Sequence, residues 1–270
     1  DLTWNEGTNG SQSTSYEVFR GGSSIGTVNP TTLNSDHSDD FSTDLWIDSS
    51  FTGVSGGVLT GNLNRGVTNH GTYFDLGTTL DNSQWVMRFQ LDINSSATST
   101  NNSVALYMSD SQVVGINSNK DGLGLGLRYD GGANFALIAP DGTYSYYNTS
   151  YFGTPNTGTY YVEVIRTSST SADLNIYSDS SYSTLLDSVT NHTISSGIQN
   201  LQYAVVQGMN DGGSGGTWNI SIDNLEIWDG VITPSSLDTN FTDSNAPDSS
   251  NLSYTVTGTN TVGTSAQSTA

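Results

Sequence analysis

Trp85-Val86-Met87-Arg88-Phe89-Gln90-Leu91-Asp92-Ile93 decides the fold class of this 270-residue chain. Its odd-numbered positions are apolar, while Arg88, Gln90 and Asp92 alternate with them, the period of two that sends successive side chains to opposite faces of a strand. The same period recurs at Val104-Leu106-Met108, Tyr160-Val162-Val164, Leu174-Ile176 and Trp218-Ile220-Ile222. Gly122-Leu123-Gly124-Leu125-Gly126-Leu127 places leucines on one face and bare backbone on the other. Asp130-Gly131-Gly132, Asp141-Gly142 and Asn210-Asp211-Gly212 punctuate the runs as turns. Helical periodicity is absent, so the sequence predicts an all-β chain of antiparallel strands.

Around these strands the chain is acidic, with 26 acidic against 6 basic side chains, a formal net charge of −20, and no cysteine. Like charge repels phosphate backbones, which excludes nucleic acid as a partner. No run approaches the roughly 20 apolar residues that a membrane span needs. No signal peptide is present, so the sequence reads as a mature chain or a piece of a longer one. Without cysteine there are no disulfides, thiolate metal sites or cysteine nucleophiles. Aromatic residues make up 10% of the chain, enough to build a core although the apolar fraction is only 33%. The acidic, Ser/Thr/Asn-rich style predicts an extracellular protein of a saline setting; the plainer alternative is that acidity keeps a β-rich chain soluble.

The two ends of the chain belong together. Trp4, a polar loop, Tyr16-Glu17-Val18-Phe19-Arg20, Gly21-Gly22 and Ile25 to Val28 resemble strands B, C and C′ of a fibronectin type III domain. Thr239 to Asp243, Leu252 to Asn260 and Val262 to Ser265 resemble its strands E, F and G. The resemblance implies an immunoglobulin-like sandwich formed by residues 1–35 and 232–270 that lacks its first strand. Residues 36–231 differ in style. They open on Asp36, Asp39-Asp40-Phe41 and Trp46, continue through Gly56-Gly57-Val58-Leu59, and close on Asp223-Asn224-Leu225-Glu226-Ile227-Trp228-Asp229. These bookends resemble a laminin-G-like, concanavalin A-like jelly roll, which the resemblance implies is inserted into the C′–E connection. Insertion is physically easy when the ends of the inserted domain lie close together.

Relatives of that jelly roll include glycoside hydrolases, whose carboxylates follow a Glu-x-Asp-x-(x)-Glu pattern on one strand. Glu163 and Glu226 each stand without an acidic neighbour two positions away. His37, His70 and His192 share no metal-ligand spacing, and no Gly-x-Ser-x-Gly elbow occurs. The sequence therefore predicts a chain that is not an enzyme and requires no cofactor. Calcium is one expectation, at Asp36, Asp39, Asp40 and Asp223, since hard cations take clustered carboxylates; chance clustering among 22 Asp is the other. Glycan binding is expected at Tyr144, Tyr146, Tyr147 and Tyr151, aromatic residues in a polar segment, with packing into the sandwich as the alternative for some of them. Sequons at Asn9, Asn94, Asn101, Asn148, Asn191, Asn219, Asn240 and Asn251 permit glycosylation, although an Asn/Ser/Thr-rich chain yields about that number by chance.

A sandwich without an edge strand exposes unpaired backbone groups. A preceding domain of a tandem array, a strand donated by another copy, or tolerance of the gap would each answer that exposure. Asp1, Leu2 and Trp4 at one end and Thr264, Ala266 and Ala270 at the other are the expected junction of a head-to-tail assembly with copies of the same chain. The leading expectation is a non-enzymatic building block of a cell-surface filament, sheath or adhesin, similar in style to secreted surface proteins of marine archaea. The alternative is a carbohydrate-binding module of a larger secreted protein.

Overall fold

The structure is a computed structural model describing residues 2–4, 15–29, 31–48, 53–65, 71–112, 120–142, 150–208, 215–236, 240–246, 252–260 and 263–264. In chain order the strands are β1 (Leu2–Thr3), β2 (Ser15–Arg20), β3 (Ser23–Val28), β4 (Thr31–Thr32), β5 (His37–Asp39), β6 (Ile47–Asp48), β7 (Val54–Ser55) and β8 (Val58–Asn64). They continue as β9 (Gly71–Asp75), β10 (Trp85–Ser95), β11 (Asn101–Ser109), β12 (Gly122–Tyr129), β13 (Ala133–Ile138), β14 (Ser150–Phe152), β15 (Gly158–Ser168) and β16 (Ser171–Tyr177). The last are β17 (Leu185–Thr193), β18 (Tyr203–Gln207), β19 (Thr217–Asp229), β20 (Ser235–Ser236), β21 (Asn240–Phe241), β22 (Tyr254–Asn260) and β23 (Gly263–Thr264). No helix among the described residues is long and apolar enough to cross a membrane.

The chain divides into two compact units, Ser35–Ile232 and the combination of Asp1–Asn34 with Thr233–Ala270. The larger unit holds two antiparallel sheets, one in the order β17-β16-β15-β10-β19-β8-β7 and the other β14-β13-β12-β11-β18-β9-β6. The long β19 pairs with β8 along its first half and with β5 near its end. The facing sides of the two sheets form one core. Trp85, Met87, Phe89, Leu91 and Ile93 of β10 are all 2% exposed or less, as are Val162, Val164, Leu174, Ile176, Trp218, Ile220 and Ile222. Opposite them lie Ala105, Leu106, Met108, Leu123, Leu125, Leu127, Leu137, Ala204 and Val206. Burying such a continuous apolar layer at about 25 cal/mol per Å² is the main force that holds the sandwich together. The architecture is all-β, a sandwich of two antiparallel sheets packed face to face.

The structure departs from simple alternation at β11. A bulge between Val104 and Leu106 shifts the register, so Val104 leaves the face that Leu106 and Met108 share. Val104 joins Tyr107, Ala136, Ile138 and Val205 in a second cluster instead. The glycine face of β12 is covered, too. Tyr107 lies so close to Gly122 and Gly124 that a Cβ at either would collide with it.

In the smaller unit, β3-β2-β22-β23 form one sheet and β1–β21 a separate pair. Val18 and Tyr16 are buried, Trp4 meets Tyr16 edge-on at 5.2 Å, and the Phe241 ring lies over the bare face of Gly26. Asp243 ties the unit together by accepting from Arg20 Nη1 at 2.8 Å and from the Tyr254 hydroxyl at 3.0 Å. Of the residues expected at an assembly junction, Asp1, Ala266 and Ala270 lie outside the described residues. Leu2 pairs with Phe241 and Thr264 with Thr259, both within the chain. A filament draws no support from these internal pairings.

Candidate functional site

The outer face of the β10 sheet carries a row of polar side chains set by strand register. Arg88 stands opposite Glu163 of β15 on one side and Glu226 of β19 on the other; Asn175 of β16 and Ser38 of β5 extend the row. The next outward row is Tyr177, Tyr161, Gln90 and Asp223. Because β10 and β15 alternate strictly, these residues face out wherever their neighbours face the core. On β19 a bulge intervenes: Arg88 pairs with Glu226 but Gln90 with Asp223, leaving an extra residue beside Asn224, whose φ is 51°. The bulge lets Glu226 and Asp223 share the outer face while Leu225 stays buried.

Within this face Glu163 is fully engaged. One of its oxygens accepts from Arg88 Nε at 2.8 Å and Nη2 at 2.6 Å, and the other accepts from Asn175 at 3.0 Å and the Tyr177 hydroxyl at 3.1 Å. Burial and then the Glu163 charge push the Tyr177 hydroxyl well above its usual range, so it serves as a neutral donor. The Arg88 guanidinium lies 4.2 Å from the centre of the Tyr182 ring and 5.8 Å from that of Trp228. Tyr182 also meets Tyr177 and Tyr161 edge-on at 5.5 and 6.1 Å.

Beside this cluster opens a cleft of about 620 Å³. Gln90, Tyr161 and Glu226 come from the sheet; Tyr182 and Ser180 come from the β16–β17 loop; Asp39 ends β5, and Asp40, Thr43 and Leu45 come from the segment after it. Leu45 is 56% exposed, an apolar wall open to solvent. That segment is shaped by Asp39, which is buried and accepts from the Phe41 N–H and from Trp46 Nε1, both at 2.8 Å. Phe41 takes a φ of 52° there and stacks on Trp46 at 5.8 Å. The opposite loop is held by Asp179, which accepts from the N–H groups of Ser181, Ser183 and Thr184 and from both serine hydroxyls. In contrast to Glu163, the Glu226 carboxylate has no hydrogen-bond partner among the described residues. Aromatic faces beside an amide and a free carboxylate can bind a small polar ring compound.

The expected site residues fall elsewhere or apart. Tyr144, Tyr146 and Tyr147 lie outside the described residues, and Tyr151 is described only by its backbone, paired with Ala136 in β14. Among the calcium candidates, both oxygens of Asp39 are spent on Phe41 and Trp46. Asp36 accepts from the Asp229 N–H, Asp40 from Ser42 and Asp223 from Asn224. No group of three acidic or histidine side chains converges among the described residues. One sequon needs correction. Asn101 is fully buried and its Nδ2 donates to the carbonyls of Leu63 and Gly216, so it offers no amide to a glycan. Asn94, Asn191 and Asn240 are exposed and Asn219 is half-buried, while Asn9, Asn148 and Asn251 lie outside the described residues. The cleft leaves no mark in the linear sequence, because a paired-carboxylate motif lies along one strand, whereas Glu163 and Glu226 flank Arg88 across strands.

No protein-family model matches this sequence, and no curated protein matches it. Several solved structures are similar to this chain at low identity. A GH43 protein of Bacillus licheniformis is 13% identical over 74% of this chain and 40% of its own, with a TM-score of 0.47. This chain thus spans about two-fifths of that protein's length. The alginate lyase Aly36B, in complex with alginate tetrasaccharide, is 13% identical over 76% of this chain and 97% of its own, with a TM-score of 0.44. The exoplasmic/lumenal domain of VIP36 in its Ca2+/Man-bound form is 12% identical over 77% and 98%, with a TM-score of 0.47. The expectation that the chain is not an enzyme is corrected by this comparison. The similar structures include a GH43 protein, an alginate lyase and a sialidase, and the missing Glu-x-Asp-x-(x)-Glu pattern speaks to one hydrolytic route only.

Proposed function

We propose that residues 35–232 form a carbohydrate-binding module, carried on a fibronectin type III-like base in a larger extracellular protein. The cleft carries this reading. Tyr161 and Tyr182 offer faces for sugar rings, and Gln90, Glu226 and Ser180 offer hydrogen-bonding groups at the same opening. The base is supported by the order β3-β2-β22-β23 with β1 paired to β21, the arrangement that strands C′, C, F and G with B and E would take. The extracellular setting is supported by the acidic, hydroxyl-rich composition.

The test is a panel of neutral, anionic and cationic oligosaccharides titrated into the whole chain, with calcium and with a chelator. Tyr182→Ala should weaken binding of whichever member binds by about tenfold, the loss of one stacked ring, in a variant that still unfolds cooperatively. Absence of binding to every member of the panel would overturn the reading.

A further inference from the structure

The cleft has a sign. We propose that it selects saccharides bearing protonated amines, hexosamine oligomers with free amino groups, over neutral and anionic ones; this inference rests on the carbohydrate reading of the same cleft. Among the described residues, its charged lining is Asp39, Asp40 and Glu226, all acids. Asp39 is consumed internally by Phe41 and Trp46, which leaves Asp40 and Glu226 for a ligand. The Ser42 hydroxyl and N–H hold the exposed Asp40 carboxyl below the usual carboxylate range, so it stays ionised.

The cation closest to the lining in the strand register is Arg88, and it is withdrawn from the opening. Its Nε and Nη2 are both committed to Glu163, and the Tyr182 ring covers the guanidinium. A uronate or sialate carboxylate entering the cleft would meet two carboxylates and no cation among the described lining residues. An ammonium group would instead find Glu226, a carboxylate without a described partner, next to the rings of Tyr182 and Tyr161. Carboxylate and aromatic faces together are the chemistry that recognises an organic cation, through a charge-assisted hydrogen bond and cation–π attraction. The net charge of −20 adds a long-range field that draws cations in.

The experiment titrates the whole chain, at about pH 5.5 where the sugar amines are protonated, with four tetrasaccharides: tetraglucosamine, tetra-N-acetylglucosamine, cellotetraose and a tetrauronate. Tetraglucosamine should bind about tenfold more tightly than the acetylated and neutral tetramers, with no binding of the tetrauronate. Glu226→Gln should bring tetraglucosamine and tetra-N-acetylglucosamine to within about twofold of each other, and Asp40→Asn should narrow the gap in the same direction. Equal affinities in the native chain, or tightest binding of the tetrauronate, would overturn the selectivity and leave the carbohydrate reading standing. A preference that survives Glu226→Gln undiminished in a folded variant would assign it to bulk charge and also overturn it. Binding of none of the four would overturn the selectivity and count against the carbohydrate reading as well.

Discussion

Lys120 and Glu163 show two opposite fates for a buried charge. Glu163 is 5% exposed and both its oxygens are satisfied by Arg88, Asn175 and Tyr177. Lys120, the single lysine of the chain, is equally buried, yet its Nζ has no hydrogen-bond partner among the described residues. Burial lowers the Lys120 amine to about 8, against a pull upward from Asp110. Burial also pushes Asp110 and Asp121 up, and the charges of Asp110 and Asp141 push Asp121 further. For Lys120 the folded state binds fewer protons than the unfolded between pH 8 and its ordinary value of 10.5. Its contribution therefore improves as pH rises through that window, and its cost is fully present below it. Lys120→Met should raise stability at neutral pH by about 1–3 kcal/mol and flatten the pH dependence above 8, measured by denaturant unfolding at several pH values. A loss of stability on that substitution would show that the amine has a partner. None of this was legible in the sequence, where Lys120 sits in the polar stretch Asn117-Ser118-Asn119-Lys120-Asp121 and reads as a surface residue.

The β16–β17 loop is the element on which the cleft most depends. Asp179 gathers the N–H groups and hydroxyls that follow it, and Tyr182 reaches over Arg88 with a φ of 55°. The Ser181 hydroxyl and the Thr184 and Ser183 N–H groups hold the Asp179 carboxyl far below the usual carboxylate range. The sign follows from that direction: the loop's support is present above the ordinary carboxylate range and is lost only as pH falls through the lowered value. Asp179→Ala should release Tyr182 and weaken ligand binding by about fivefold, read by titration, while the unfolding midpoint barely moves because the loop lies outside the core. A variant with unchanged affinity would show that Tyr182 is held by its ring contacts alone. The strands on either side were readable from alternation, as in Leu174-Asn175-Ile176-Tyr177. The loop was not, since Asp179-Ser180-Ser181-Tyr182-Ser183 resembles many other hydroxyl-rich segments of the chain until its hydrogen bonds are seen.

For the whole molecule, the long-range balance is one of charge. With 26 acidic and 6 basic side chains, self-repulsion opposes folding and is screened by salt, with a Debye length of about 30 Å at 0.01 M and about 3 Å at 1 M. The thermal midpoint should rise by several degrees between those limits, a differential scanning measurement; a flat or falling midpoint would mean that the acidic groups are already spaced beyond mutual reach. In the larger unit the incoming and outgoing segments are joined where Asp36 donates its N–H to the Ile227 carbonyl and accepts from the Asp229 N–H. In the smaller unit, Thr32 pairs with Ser235. Both joints keep the ends of the 35–232 segment close in their own units, so the connection costs little loop-closure entropy.

The all-β class and the faces of β10, β15, β16 and β19 follow from the sequence alone, because side-chain alternation is a local property of an extended backbone that any stretch of nine residues displays. Which residues meet across strands is not local. The row Glu163–Arg88–Glu226 joins positions far apart in the chain and depends on register and on the bulge at Asn224. The burial of Asn101 exists only once the two sheets have packed, and the covered glycine face of β12 and the cleft between the Asp39 and Asp179 loops exist only once neighbouring strands have paired. Strand identity is encoded residue by residue, whereas the site is decided by tertiary pairing, since its chemistry lies in the distances between strands.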